Sequence, residues 1–151
     1  MMMHVALYEP EIPPNTGNIA RLCAATATTL HIVGQPSFRM DDRTLRRAGL
    51  DYWEHVDLKR HVGLEDLYAS LPASRFVYLT TKVNRPYWEW KFEAGDCLVF
   101  GPETRGLSED LLAANSESCL TIPMPSGNVR SLNLATSVGI VLYEAIRQLS
   151  L

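Results

Sequence analysis

The chain has 151 residues, about the length of one domain, and its 46% hydrophobic and 21% charged residues are typical of a globular protein. Its 14 Lys and Arg residues against 17 Asp and Glu residues give a net charge of -3. That balance excludes a protein that binds nucleic acid through overall positive charge, but it does not exclude a local basic patch. No signal peptide or membrane-spanning run is recognisable, which favours a soluble, cytoplasmic protein without a membrane partner.

Short apolar runs alternate with helical patterns along the whole chain. Apolar runs bounded by turn residues predict strands at residues 5–8, 30–33, 76–80, 97–100 and 120–122, with an ambiguous strand at 52–57. Helices are predicted to begin at Asn15 or Thr16, at Asp41 with Gly49 just past the end, at Gly63, at Ser108 and at Ser131. The last helix has one apolar face, formed by Leu134, Val138, Val141, Leu142 and Ala145. Strands that alternate with helices predict an α/β fold around a mainly parallel sheet.

In open parallel sheets ligands bind beyond the carboxyl ends of the strands, so the loops that follow the predicted strands are candidate sites. Segment 13–21 joins the first strand to the first helix, where free N–H groups can bind an anion and Arg21 can reach a phosphate. The alternative is an ordinary capped helix with Arg21 facing solvent. Only Gly17 occurs in this segment, so the G-x-G-x-x-G pattern is absent and a dinucleotide-dependent dehydrogenase is disfavoured.

The loop after the strand at 97–100 combines a stiff backbone with charged side chains. Gly101 lets a ligand approach the backbone closely, and Pro102 stiffens the chain. Glu103 and Arg105 follow within the same short loop. The alternative is a Gly-Pro pair that only ends the strand.

The loop after the strand at 120–122 is also stiff. Ile122 and Met124 give an apolar wall that suits a flat ring such as adenine. Ser131 and Asn133 lie at the start of the last helix, where the alternative roles are a helix cap and a polar residue of the first turn.

A basic cluster provides a possible RNA-binding surface. Four arginines fall within nine residues of one another, Arg39, Arg43, Arg46 and Arg47. Aromatic side chains that can stack on bases are Tyr52, Trp53 and Trp88. The alternatives are a solvated charged face and core tryptophans. The four histidines lack the spacing of metal ligands, and the three cysteines (Cys23, Cys97 and Cys119) are far apart in the sequence, so we expect no metal site and no disulfides.

Taken together, the three loops resemble those of SPOUT-class RNA methyltransferases. The matching motifs are Asn15-x-Gly17-Asn18-Ile19-x-Arg21, then Phe100-Gly101-Pro102-Glu103-x-Arg105-Gly106-Leu107, then Ile122-Pro123-Met124 with Ser131-Leu132-Asn133. Further segments, at 8–13, 45–52, 79–82 and 143–149, are similar to the bacterial subgroup that methylates the ribose 2′-hydroxyl of wobble nucleotide 34, a cytidine or modified uridine, in leucine tRNAs.

The resemblance implies a fold, a methyl donor and an assembly. It implies that residues 1–151 form a single SPOUT domain with a deep trefoil knot near the C-terminus, which pattern alone would not predict because knots are rare. It implies S-adenosylmethionine as methyl donor and a homodimer, for which the helices at 15–29 and 131–149 are interface candidates. The donor pocket would be formed by Leu79, Thr80, Gly101, Glu103, Ile122, Met124 and Ser131.

The resemblance also suggests roles in the transfer. Arg21 would position the substrate and stabilise charge, because a guanidinium is a poor base. Asn15 and Asn133 would orient the ribose or Arg21, and Glu103 would complement the sulfonium charge or hold a loop amide. The RNA would contact Arg43, Arg46, Arg47 and Arg105. Two alternatives remain open, a methyltransferase for another RNA site and an RNA-binding module of this fold without catalysis.

Overall fold

The computed structural model describes residues 3–41, 43–48 and 52–150. Its centre is a sheet of six parallel strands in the order β3-β2-β1-β5-β4-β6. The strands are β1 His4–Tyr8, β2 Thr29–Val33, β3 Leu58–His61, β4 Phe76–Leu79, β5 Cys97–Phe100 and β6 Cys119–Leu120. The prediction of an α/β fold with a parallel sheet is confirmed.

Helices cover both faces of this sheet. The α-helices are α1 Pro13–Thr26, α2 Arg43–Ala48, α3 Leu64–Ser70, α4 Glu109–Ala114 and α5 Leu134–Leu149. Three short 3₁₀ turns lie at Trp53–His55, Tyr87–Glu89 and Ser116–Ser118. Helices α1 and α5 pack against each other and bury one face of the sheet, whereas Leu67 of α3 and Leu112 of α4 lie in the core on the other face.

The apolar strand sequences follow from this two-sided burial. Val5 and Leu7 of β1 belong to the core beneath α1 and α5, and Ala6 between them belongs to the core beneath α3 and α4. Successive side chains of a strand point to opposite faces, so a strand covered on both sides is apolar at most positions. The apolar face predicted for the last helix is confirmed, because all five of its residues are buried in α5.

Two helix starts differ from the prediction. Helix α1 begins at Pro13 rather than at Asn15 or Thr16, because prolines fit the first turn, where no intrahelical N–H bond is needed. Asn15 and Thr16 are buried inside this helix. The last helix begins at Leu134, and its cap is Asn133, whose Oδ1 accepts the N–H of Thr136 at 3.2 Å, rather than Ser131. The predicted cap at Ser108 is confirmed, since its hydroxyl accepts the N–H of Leu111.

Other differences concern the segments around β3 and β6. The ambiguous strand predicted at 52–57 is wrong, because Trp53–His55 forms a 3₁₀ turn and β3 starts at Leu58, opposite Leu30 of β2. The strand predicted at 120–122 is only Cys119–Leu120, followed by a single bridge between Thr121 and Pro86. The helix predicted from Asp41 is α2, and Gly49, predicted past its end, lies outside the described residues.

The three cysteines are buried in the fold. Cys23, Cys97 and Cys119 are free and buried, and burial raises the pKa of the Cys23 thiol to about 12. Within residues 3–41, 43–48 and 52–150, no helix is both long and apolar enough for a membrane span.

Candidate functional site

A cleft of about 490 Å³ lies at the carboxyl edge of the sheet, where the loops after β4, β5 and β6 meet the start of α1 and the start of α5. Every predicted donor-binding residue lines it, namely Leu79, Thr80, Gly101, Glu103, Ile122, Met124 and Ser131. These residues are up to 52 positions apart in sequence, and the parallel pairing of β4 with β5 and β6 brings their loops together. The cleft is therefore large enough for a small organic ligand.

Glu103 ties the loop after β5 to the start of α1. One carboxylate oxygen accepts the N–H of Glu11 at 2.8 Å, and the other accepts the N–H of Ile12 at 2.9 Å. Helix α1 has no side-chain cap of its own at Ile12, so a carboxylate 91 positions away completes its N-terminus. A negative charge is favourable there because free N–H groups and the helix dipole point toward it. These bonds match the loop-holding role suggested for Glu103.

The segment before α1 also accepts hydrogen bonds from the loop after β5. Glu11 accepts the backbone N–H and the hydroxyl of Thr104, each at 2.8 Å, and these hydrogen bonds hold the pKa of the Glu11 carboxyl below its usual value. Arg105 donates to Glu9 at 3.1 Å and lies 3.8 Å from Glu11. Arg105 lines the cleft, but its charge is already balanced by protein carboxylates. Its contacts hold loops together, while contact with RNA remains a prediction.

Asn15 and Asn133, both candidate catalytic residues, form a direct link across the cleft wall. The Asn133 side-chain amide donates to Oδ1 of Asn15 at 3.0 Å, and the Asn15 amide donates to Glu103 at 3.2 Å. The remaining oxygen of Asn133 caps α5. The network thus joins α1, the loop after β5 and the start of α5, although these parts lie up to 118 residues apart. Each amide group is committed to this network, so the arrangement fixes the shape of the cleft.

Arg21 is not among the residues that line the cleft. It is exposed on α1, with its guanidinium carbon 4.9 Å from the centre of the Tyr52 ring. On the neighbouring α2, Arg46 lies 5.0 Å from the ring centre of Trp53. Arg21 and the predicted basic cluster are therefore close to each other on the α1–α2 side of the molecule, and neither lines the cleft within one chain.

Two basic residues of the cleft were not found by sequence reasoning. Lys82, in the loop after β4, and Arg130, in the loop before α5, both line the cleft and are exposed. Lys82 lies two residues after a predicted donor-binding residue, Thr80, and Arg130 lies one residue before another, Ser131. This adjacency was the only hint that the two cations lie at the cleft. With 14 Lys and Arg residues in the chain, the sequence does not indicate which cations are directed toward a cleft.

The fold is that of a methyltransferase family. Residues 2–143 match the model of the SpoU rRNA Methylase family, and the chain belongs to that family of SPOUT RNA methyltransferases. The resemblance seen in the sequence is thereby confirmed, the chain is an enzyme, and the dehydrogenase alternative is excluded.

Relatives of similar length are nearly half identical to this chain. The chain is 47% identical to the tRNA (cytidine(34)-2'-O)-methyltransferase of Escherichia coli K12, over 98% of this chain and 94% of that protein. It is also 47% identical to the enzyme of that name from Methylovorus glucosotrophus, over 97% and 96%. A solved structure from work on the 2-OH methylation of C/U34 on tRNA superposes with a TM-score of 0.93, at 47% identity over 99% of this chain and 97% of that chain.

A more distant structure carries the methyl donor. The AdoMet-bound rRNA methyltransferase from Sinorhizobium meliloti superposes with a TM-score of 0.85 at 28% identity, over 98% of this chain and 57% of that chain. Within the described ranges of our chain, no group of three or more His, Cys, Asp or Glu side chains is arranged to hold a metal ion.

Proposed function

We propose that the protein transfers a methyl group from S-adenosylmethionine to the ribose 2′-hydroxyl of nucleotide 34, a cytidine or a modified uridine, in leucine tRNAs. The observation that carries the proposal is the 47% identity, over nearly the whole of both chains, to tRNA (cytidine(34)-2'-O)-methyltransferases. The restriction to leucine tRNAs rests on the likeness of segments such as 8–13 and 45–52 to one subgroup. Transfer of labelled methyl to unmodified tRNAs, followed by mapping of the labelled nucleotide, separates this substrate from another RNA site.

The cleft supports the choice of methyl donor. Leu79, Ile122 and Met124 supply apolar walls for a flat ring, and the loop at Gly101 exposes its backbone to the ligand. S-adenosylmethionine supplies an activated methyl group to the attacking oxygen. The Glu103–Asn15–Asn133 network keeps these loops in place, so the cleft residues would hold the donor in a site that is already formed.

In this proposal Arg21 positions the RNA and stabilises charge. A guanidinium is a poor base, so Arg21 does not remove the proton of the 2′-hydroxyl in this proposal. That proton passes to an RNA phosphate or to solvent. Arg43, Arg46 and Arg47 are exposed on α2, close to Arg21, and in the proposal they bind phosphates of the anticodon stem. Asn15 acts through the position of α1, which carries Arg21.

Replacing Arg21 by alanine is expected to leave the affinity for the donor unchanged and to lower methyl transfer by about 100-fold or more, since one charge-stabilising contact supplies about 3 kcal/mol in comparable sites. Donor affinity is measured by calorimetric titration, and transfer is measured under single-turnover conditions. Lys91→Ala is the control, because Lys91 is an exposed cation that does not line the cleft. Wild-type turnover of the Arg21 variant would remove Arg21 from the mechanism.

We further propose a homodimer formed through α1 and α5. Among the exposed large apolar side chains, Tyr143 (49%) and Leu149 (40%) lie on α5, and Ile12 (43%) lies just before α1. A second copy covering this surface buries apolar area that is otherwise hydrated. Sedimentation velocity is expected to give the mass of two chains, and Tyr143→Glu is expected to shift it toward one.

The remaining features of the proposal follow from the family resemblance. In the proposal, residues 1–151 form a single SPOUT domain with a deep trefoil knot near the C-terminus. The superposition at a TM-score of 0.93, over 99% of this chain and 97% of the other, supports a shared fold. The proposed tRNA substrate also places the protein in the cytoplasm.

A further inference from the structure

Three cations line the cleft, and they differ in their partners. Arg105 pairs with Glu9 and Glu11. In the part of the chain that the structure describes, neither the Lys82 ammonium nor the Arg130 guanidinium has a hydrogen bond, an ion pair or an aromatic partner. Lys82 is held only through its backbone, whose N–H donates to the Thr80 hydroxyl at 3.1 Å. Two long cationic side chains at this cleft can therefore bind an anionic ligand.

Both residues are exposed at the cleft, so they can contact a ligand that covers it. Lys82 is exposed, and Arg130 belongs to a stretch, residues 125–131, in which every residue is exposed. Small ligands are mostly buried in their pockets, whereas exposed cations at the mouth contact the larger substrate that covers it. A polyanion also gains no attraction from the overall charge of -3, so its approach depends on local cations of this kind.

We infer that Lys82 and Arg130 bind phosphate groups of the RNA strand next to the nucleotide that is methylated. The inference rests on the proposed function and adds a contact site that lies at the donor cleft, separate from the basic residues of α2. Arg130 presents a planar fork that can contact one phosphate with two hydrogen bonds, and Lys82 acts as a point charge. Together they hold the target ribose over the donor pocket.

The test measures RNA affinity and donor affinity separately. A leucine tRNA transcript with cytidine at position 34 is titrated against wild type, Lys82→Ala, Arg130→Ala and the double variant at several salt concentrations. S-adenosylhomocysteine is titrated by calorimetry as the donor probe. Each lost phosphate contact is expected to flatten the log–log salt slope by about 0.7, which corresponds to about four-fold weaker binding at 0.15 M salt and roughly 15-fold for the double variant.

Matched controls use cations outside the cleft. Lys91 is exposed in the segment before β5, at the other end of the sheet, and Arg60 is exposed on the edge strand β3. Lys91→Ala and Arg60→Ala are expected to leave the salt slope unchanged. Lys82→Arg keeps the positive charge and is expected to keep the slope. Thermal unfolding of every variant should match wild type, because the two cleft side chains make no contact whose loss could unfold the protein.

The outcomes separate this inference from the proposed function. Unchanged tRNA affinity in the double variant, with wild type still methylating tRNA, overturns the inference alone. Weaker binding of S-adenosylhomocysteine with unchanged tRNA affinity also overturns it, and assigns the two cations to the donor. If wild type neither binds nor methylates any tRNA, the proposed function itself fails, and the inference fails with it.

Discussion

Gly101→Ala is expected to lower the affinity for S-adenosylmethionine by about 100-fold. A Cβ at this position would lie 2.5 Å from the carbonyl carbon of Gly106 and 2.5 Å from the backbone nitrogen of Leu107. Both neighbours are main-chain atoms, which cannot rotate away, so the loop after β5 must open. Overpacking of this kind costs up to about 3 kcal/mol, and a loss of that size in binding is about 100-fold.

The matched control for this change is Gly63→Ala. A Cβ at Gly63 would have no atom within 4 Å apart from its immediate chain neighbours, and the backbone there is extended, so alanine fits without strain. Calorimetric titration with the donor and denaturant unfolding are measured for both variants. A folded Gly101 variant with wild-type donor affinity would contradict the placement of the donor against this loop, and thus the pocket proposed here.

The second large effect concerns three histidines on neighbouring strands. His4 of β1, His31 of β2 and His61 of β3 form a chain in which Nδ1 of His4 lies 3.0 Å from Nε2 of His31, and Nδ1 of His31 lies 2.8 Å from Nε2 of His61. A neutral imidazole has one donor and one acceptor nitrogen, so the central ring is satisfied when it donates to one neighbour and accepts from the other. His31 is fully buried.

Burial is the main cause that lowers the pKa of His31 to about 3. Its two histidine neighbours and Lys59 act in the same direction, and Asp57 opposes them. Burial is also the largest cause that lowers the pKa values of His4 and His61. A histidine whose folded pKa lies below its unfolded value stabilises the fold above the unfolded pKa and loses that stabilisation as the pH falls. His31 alone is therefore expected to reduce the free energy of unfolding by about 2 kcal/mol between pH 7 and pH 5.

Urea unfolding across this pH range measures the effect. His31→Gln removes the titrating group and keeps a donor and an acceptor, so the variant is expected to show a pH dependence flatter by about 2 kcal/mol, whatever its stability at pH 7. His55→Gln, at an exposed position of the 3₁₀ turn, is the control and should leave the pH dependence unchanged. Equal slopes for wild type and the His31 variant would show that the buried chain does not govern acid stability.

The strands and helices with strong local patterns could be predicted from sequence. The run at 97–100 is apolar because β5 is covered on both faces, and Ser108 lies just before an acidic first turn, so each element agrees with its local chemistry. The predictions were wrong at positions where tertiary contacts replace local ones. Helix α1 has no local cap because Glu103 completes its N-terminus, and this long-range bond is absent from any local pattern.

The family motifs also predicted seven donor-binding residues, and all seven line one cleft. The Asn133 side chain donates to Asn15, the Asn15 side chain donates to Glu103, and Arg105 is paired with carboxylates. Whether a polar side chain faces a ligand or another loop depends on which loops the parallel sheet brings together, which spacing along the chain does not specify.

By itself, the sequence determined the alternation of strands and helices and the three loops that border the cleft, because hydrophobic periodicity and turn chemistry are local properties. Only the tertiary structure decided that Arg21 stands apart from the cleft while Lys82 and Arg130 border it. The direction in which an exposed cation points is set by the packing of its loop against distant strands, and residues 48 positions apart become neighbours of one cleft only after β4 and β6 have paired.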